Sequence, residues 1–324
     1  MKISIIIKAL NEEEKIANCI ESILNTTRNY DAEVVLIDSI STDNTVEIAK
    51  KYPISIYQFS SIKDRNCGAA AQLGFLKSTG DFIYLIDGDM EFATGFLQKA
   101  IDYLISHENV AGVGGILKDT DITSISDQKR ADTYKTIESE HFVSYLGGGG
   151  LYRREAIISV GYFSNPDLKA CEEAELGVRL HSAGWKLARL PEVSVFHTGH
   201  KASTTTLMRR SLRNGRLAAN GVFIKSSLGK PWWWRVLLRE WFVVLPFSIN
   251  FLNLMLIPIL GFQAMINLLL IWIVIFLLIS IKSRSFTSAV YSIFSWNLSM
   301  LASLSSIPKK IGDPERNIDS IRIL

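Results

Sequence analysis

The chain has 324 residues, 48% of them hydrophobic and 21% charged, with 35 Lys and Arg against 32 Asp and Glu. That composition excludes intrinsic disorder, collagen-like repeats and a disulfide scaffold, and the length suits one large or two small domains. The near-neutral total hides a division: residues 1–200 are net −8 and residues 201–324 net +11, which predicts a two-part protein whose basic part meets something anionic.

The N-terminal apolar run, residues 3–7, is interrupted at Lys8 and followed by Asn11-Glu12-Glu13-Glu14. It is too short, and too acidic afterwards, for a signal peptide, so the first 200 residues are expected to stay in the cytoplasm. The three cysteines, Cys19, Cys67 and Cys171, show no metal-ligand or redox spacing, which fits a reducing compartment. Short β-branched runs at 3–7, 33–37, 54–58, 82–86 and 110–113 predict strands, and they alternate with helical patterns at 45–51, 68–77 and 95–106. Ile16, Ile20, Ile23 and Leu24 add one apolar helical stripe between the first two strands. This alternation predicts an α/β domain built of βαβ units around a mostly parallel sheet with flanking helices.

Open α/β sheets bind ligands beyond the carboxyl ends of their strands. Asn11 and Glu12 follow the first strand, Asp38 ends the second, and Asp87-Gly88-Asp89 ends the fourth. Asp and Asn also favour turns and helix caps, so Asn11 and Asp43 read equally well as turn residues. Two carboxylates beside one apolar strand, by contrast, repel each other unless a cation or hydrogen-bond donors compensate. Oxygen ligands of that kind suit Mg²⁺ or Mn²⁺, the usual partners of diphosphates.

The stretches Ile5-Ile6-Ile7-Lys8-Ala9-Leu10-Asn11-Glu12-Glu13, Val35-Leu36-Ile37-Asp38-Ser39 and Gly80-Asp81-Phe82 to Asp87-Gly88-Asp89 resemble family 2 of the nucleotide-sugar glycosyltransferases, with the GT-A fold. Gly150-Leu151-Tyr152-Arg153-Arg154, Val160-Gly161-Tyr162-Phe163 and Glu172-Glu173-Ala174-Glu175-Leu176 continue the likeness in the family's order, over about residues 1–200. The resemblance implies that Asp38 contacts the donor's nucleobase or ribose, that Asp87 and Asp89 hold the nucleotide and the divalent metal, and that Glu173 is the general base. Two positions depart from the pattern: Ser39 stands where a second acidic residue is common, and Glu172-Glu173 replaces the usual Glu-Asp pair.

On a helix at 100° per residue, Leu176 and Leu180 define a buried face, with Glu173 about 40° from its centre, Glu172 about 60° and Glu175 about 120°. Glu175 also sits four residues before Arg179, an ordinary stabilising surface pair. Geometry thus sets Glu175 aside as structural and barely separates Glu173 from Glu172; only the resemblance tips the choice to Glu173. Arg65 precedes the donor-site strand and is a candidate for the diphosphate or for plain solvation. His197 ends a predicted strand at 193–196 and is a candidate further metal ligand as a neutral imidazole, with His200 its rival. Gly147 to Gly150 lacks the Lys-Ser/Thr of a P-loop and reads as an acceptor-side loop.

Residues 201–240 carry nine basic residues and one acid. Arg209, Arg210, Arg213 and Arg216 are spaced to line much of one helix, and Trp232-Trp233-Trp234 follows. Such a segment beside an apolar stretch reads as an interfacial arm against anionic headgroups rather than a nucleic-acid surface. Residues 241–281 contain no charged residue or histidine, twice the roughly 20 needed to cross a bilayer once. They divide near Gly261 into a transmembrane hairpin with positive residues at both ends, so both ends are expected in the cytoplasm. Residues 286–307 are apolar but Ser-rich and are expected to form an interfacial or re-entrant helix, followed by a cytoplasmic tail.

These readings converge on a catalytic domain at 1–200, the arm at 201–240, two transmembrane helices at 241–281 and a further helix with the tail at 282–324. The expected activity is that of a multi-pass inner-membrane glycosyltransferase. It would move a sugar, with inversion, from a nucleotide-diphosphate sugar to a lipid-linked saccharide or polyprenyl phosphate in cell-surface polysaccharide synthesis. Two rival functions fit these residues less well. A sugar nucleotidyltransferase expects a Gly-rich loop that Lys8-Ala9-Leu10-Asn11 lacks, and a non-catalytic scaffold subunit has no use for Asp87, Asp89 and Glu173.

Overall fold

The structure, a computed structural model, describes residues 1–199 and 202–324. Residues 1–207 and 312–324 form one compact unit and residues 208–311 a second.

The first unit opens β1 (Ile3–Ala9), α1 (Ile16–Thr27), β2 (Ala32–Asp38), α2 (Thr45–Ala49), β3 (Ser55–Phe59), α3 (Cys67–Lys77), β4 (Phe82–Asp87), β5 (Met90–Phe92) and α4 (Phe96–Ser106). It continues with β6 (Val110–Asp119), α5 (Ile125–Lys135), β7 (His141–Phe142), β8 (Gly150–Arg153), α6 (Arg154–Ser159), α7 (Glu172–Ser182) and β9 (Lys186–His197), and closes with β10 (Ser320–Arg322). One ten-stranded sheet runs β10-β3-β2-β1-β4-β8-β6-β9-β5, with β7 beside β9. The neighbours β3, β2, β1 and β4 are parallel, as the βαβ pattern predicts. β8 and β10 pair antiparallel, which makes the whole sheet mixed.

β1 is mostly apolar as far as Ile7 because both of its faces are covered. Ile5 and Ile7 pack with the α1 stripe of Ile16, Cys19, Ile20 and Ile23. Ile6 packs on the opposite side with Ala69 to Leu73 of α3 and with Leu176 and Leu180 of α7. Helix α7 lies close to the preceding loop because Gly177 carries no side chain: a Cβ there would stand 2.2 Å from the Ser144 carbonyl oxygen.

The Glu175–Arg179 pair expected on the surface is buried, with Glu175 fully covered and Arg179 only 4% exposed. The guanidinium meets both carboxylate oxygens at 2.7 and 2.8 Å and donates to the carbonyls of Val160, Tyr162 and Phe163. The 100° projection placed Glu175 outside because it counted only the apolar face; the 160–163 segment covers the helix's other side with backbone acceptors. Arg179→Met leaves Glu175 buried without its cation, so unfolding free energy should drop by about 3–5 kcal/mol. Thermal unfolding of the full chain, followed by near-UV circular dichroism, checks this.

In the second unit, α8 (Thr204–Arg213), which begins at the edge of the first, leads to α9 (Ala219–Ser227) and α10 (Trp233–Arg239). Gly215, at φ +72°, turns the chain after α8, so Arg216 leaves the helix that carries Arg209, Arg210 and Arg213, and the four arginines do not share one face. Then come α11 (Trp241–Leu260), α12 (Phe262–Ser283) and α13 (Phe286–Leu304). The first two of these are long and apolar enough to cross a membrane, with mean hydropathies of 2.1 and 2.9. They are joined at Gly261, and the Asn253 amide donates to the Ala264 carbonyl at 2.6 Å across the bend. Their side chains face outward: Ile259, Phe262 and Ile281 are each about three-quarters exposed.

Candidate active site

The carboxyl ends of β1, β2 and β4 lie side by side in register, with Ala9 opposite Asp38 and Lys8 opposite Asp87. The turns that leave them are strained. Asn11 and Ile40 adopt φ values of +56° and +58°, and Cys171, directly before α7, adopts +70°. Side chains rarely tolerate this region, and a β-branched residue such as Ile tolerates it least.

Asn11 braces two of these ends, its side-chain oxygen accepting from the Thr42 N–H at 2.8 Å and its own N–H donating to Ser41 at 2.9 Å. Asp38 is fully buried. One of its oxygens accepts from the Ser41 N–H and the Gln58 amide, and the other, Oδ1, has no hydrogen-bond partner. A buried carboxylate oxygen left unpaired is costly, and a ligand hydroxyl or N–H would relieve it. Glu12 lies 3.6 Å from Lys15, and burial together with the nearby Asp89 raises its pKa to about 7. Arg65 closes a short 3₁₀ turn ahead of α3, and its side chain joins no ion pair among the described residues.

The two carboxylates of the Asp87-Gly88-Asp89 turn face different partners. Asp87 Oδ1 lies 3.0 Å from the Lys8 ammonium, whereas Asp89 Oδ2 lies 3.4 Å from His197 Nε2. Behind the imidazole, Nδ1 is 2.7 Å from the buried Asp119, which Arg130 holds with two hydrogen bonds. Burial works against a charge on His197, but Asp89 and Asp119 outweigh it and raise its pKa. His200, the rival imidazole, lies outside the described residues. Among the described residues no three His, Cys, Asp or Glu side chains form a ready metal cluster. Asp89 and His197 nevertheless fit a divalent cation, since a carboxylate on the far ring nitrogen is the arrangement that orients metal-binding imidazoles.

At the N-terminus of α7 the two candidate bases separate. Glu172 is buried and paired to Lys8 at 2.6 Å. Glu173 is only partly covered and receives the Tyr152 hydroxyl and the Gly148 N–H, each at 3.2 Å. The left-handed glycines 147, 148 and 149 deliver that N–H. Burial raises the Glu173 pKa to about 7, with Lys8 opposing the shift and Glu172 and Asp87 adding to it.

The model of Glycosyl transferase family 2 matches residues 4–161, which span β1 to α6 and so include the Asp38 and Asp87-Gly88-Asp89 ends. Over this N-terminal half the chain is similar to family 2, and it is a glycosyltransferase. A dolichyl N-acetyl-α-D-glucosaminyl phosphate 3-β-D-2,3-diacetamido-2,3-dideoxy-β-D-glucuronosyltransferase of Methanococcus voltae is 28% identical over 257 residues, covering 71% of this chain and 76% of the relative. The O-antigen chain rhamnosyltransferase WbaN of Salmonella anatum is 26% identical over 62% of this chain and 67% of its own. Among solved structures, the mannosyltransferase PcManGT of Pyrobaculum calidifontis, in complex with GDP-Man and Mn²⁺, shares the fold with a TM-score of 0.58 at 16% identity, over 92% of this chain and 86% of that one.

Several residues of the candidate site have no counterpart in the sequence reading: Asp119, Arg130, Tyr152 and Arg189, whose guanidinium donates to the carbonyls of Gly115 and Leu146 and so steadies the base of the glycine loop. None has a local signature. Lys8 had one, as a cation that breaks an apolar strand, but its partners lie far along the chain.

Proposed function

We propose that this glycosyltransferase moves a sugar, with inversion, from a nucleotide-diphosphate sugar to a lipid-linked saccharide or polyprenyl phosphate in cell-surface polysaccharide synthesis. The observation that carries the reading is that one sheet edge presents the unpaired oxygen of Asp38, the Asp89–His197 pair and the partly exposed Glu173. In this reading Asp38 takes a hydroxyl or N–H of the nucleoside, with Asn11 and Glu12 on the neighbouring turn after β1 and Arg65 on the turn ahead of α3. Asp89 and His197 hold Mg²⁺ or Mn²⁺, with Asp87 alongside. Bound there, a divalent cation would neutralise charge on the departing diphosphate. Glu173 takes the proton of the acceptor hydroxyl as its oxygen forms the bond to the anomeric carbon. The carbon–oxygen bond to the diphosphate breaks on the opposite face, releasing the nucleoside diphosphate and inverting the centre.

The acceptor class rests on the relatives that act on dolichyl phosphate-linked and O-antigen sugars, and on the exposed apolar helices, which suit a lipid surface. Thermal unfolding of the purified chain with UDP-GlcNAc, UDP-Glc, GDP-Man or dTDP-rhamnose tests the donor site. A rise in Tm with one nucleotide sugar and Mn²⁺, reversed by EDTA, is expected; no rise with any of them would count against the reading.

We read α11 and α12 as a membrane-spanning hairpin, with the catalytic unit on the cytoplasmic side of the inner membrane. The chain leaves the catalytic unit near residue 207 and returns to it at 312, where β10 pairs with β3, so it has to cross an even number of times. Two crossings satisfy this and a third by α13 does not, which leaves α13 interfacial or re-entrant. Single cysteines placed at Met1 and Leu324 should react only after the cytoplasmic side is opened, and one at Gly261 from outside. A C-terminus labelled from outside would overturn the hairpin.

A further inference from the structure

Lys8 sits on the central strand of the sheet, with its ammonium 3.0 Å from Asp87 Oδ1 and 2.6 Å from Glu172 Oε1. The Lys8 and Glu172 side chains are each about 10% exposed, and Asp87 is open on its outer side at 45%. The lysine is thus the cation between a carboxylate of the donor-side turn and the first carboxylate of the base helix. Glu173, one residue further on, holds the Tyr152 hydroxyl and the Gly148 N–H instead. A helix N-terminus satisfies acidic side chains weakly, and only over its first turn. Here the backbone enters α7 through Cys171 at φ +70°, so the entry is strained and needs a side-chain anchor.

We infer that Lys8 is a positioning residue of the transfer reaction: by binding Asp87 and Glu172 together it fixes the distance between the donor-side turn and the helix that carries the base Glu173. The inference rests on the active site proposed above. Without the ammonium, Asp87 and Glu172 are like charges sharing one site, and the nearly buried Glu172 loses the cation that stood 2.6 Å from its Oε1. The helix end then moves away from Asp87 and carries Glu173 with it. Asp87, released from Lys8, becomes more available to a cation, so metal–nucleotide binding does not weaken. The expected signature is therefore a loss of turnover without a loss of affinity, a split that general damage to the fold does not produce.

The test is a double-mutant cycle on the full chain with Lys8→Met, Glu172→Gln and the double variant. It reads nucleotide release from the sugar nucleotide that stabilises the wild type, and the Kd of Mn²⁺ with UDP or GDP, whichever the wild type binds. Lys8→Met should lower kcat by about 30-fold or more with Kd unchanged or tighter. Glu172→Gln should lower kcat only several-fold. The double variant should recover to near the Glu172→Gln level, because the repulsion that Lys8 neutralised is gone. Lys8→Arg, which keeps the cation, should retain more activity than Lys8→Met. If Lys8→Met fails to fold, a folded and active double variant supports the same pairing. Multiplicative losses, a double variant no better than Lys8→Met, or Lys8→Met at wild-type turnover would each overturn the role of Lys8. A wild type that neither binds nor turns over any sugar nucleotide would instead overturn the proposed donor site.

Discussion

Glu173→Gln should lower the turnover number by two or more orders of magnitude, within the roughly 10²- to 10⁴-fold typical of a general base. The amide keeps the shape and can still meet the Tyr152 hydroxyl, but it cannot take the acceptor's proton. Donor affinity should change little, since Asp38 and the Asp89–His197 pair lie elsewhere on the sheet edge. Glu172→Gln, which removes a carboxylate already paired to Lys8, should be much milder. The pH profile gives an independent check. Burial lifts the Glu173 pKa from 4.5 to about 7, against Lys8 on β1 and with Asp87 on β4 and Glu172 on α7 adding to the shift. Tyr152 on β8 also faces the carboxylate. The base form is the deprotonated one, so kcat should climb as pH rises through about 7 and level off above it, and Glu173→Gln should lose that limb. An inactive Glu172→Gln beside a normal Glu173→Gln would move the base by one residue.

Asp89→Asn should abolish transfer while the chain still folds, because it removes an anionic oxygen ligand at constant size. Titration of Mn²⁺ in the presence of UDP or GDP should show affinity falling on the order of 100-fold or more. Asp119→Asn should fall toward the lower part of the 10- to 100-fold range typical of groups that orient a ligand, because Asp119 acts only through the His197 ring. Full activity of Asp89→Asn at unchanged metal concentration would remove Asp89 from the metal site.

Much of the catalytic unit was legible locally. The β-branched runs marked β1, β2, β3, β4 and the start of β6 to within a few residues, because a strand buried on both faces needs continuous apolar side chains. Asp38 and Asp87 were legible as candidates because ligands gather where parallel strands end, and that edge follows from strand order alone. The two long apolar helices α11 and α12 were legible because an uncharged run of that length, broken near Gly261, suits two helices of about 20 residues each.

Other features depend on partners that no local pattern can name. Helical periodicity left Glu172 and Glu173 nearly equivalent; they part company because Lys8, 164 residues earlier, takes one, while Tyr152 and a left-handed glycine loop take the other. Asp119 reaches His197 across 78 residues, and β10 returns from beyond the apolar helices α11 and α12 to pair with β3. Arg179 and Glu175 have the spacing of a surface pair and are buried, because the 160–163 carbonyls close over them. Propensity and periodicity report which face of an element is apolar. Which polar groups meet across elements is decided only by packing, since a buried charge is stable only where the fold brings its counter-charge within reach.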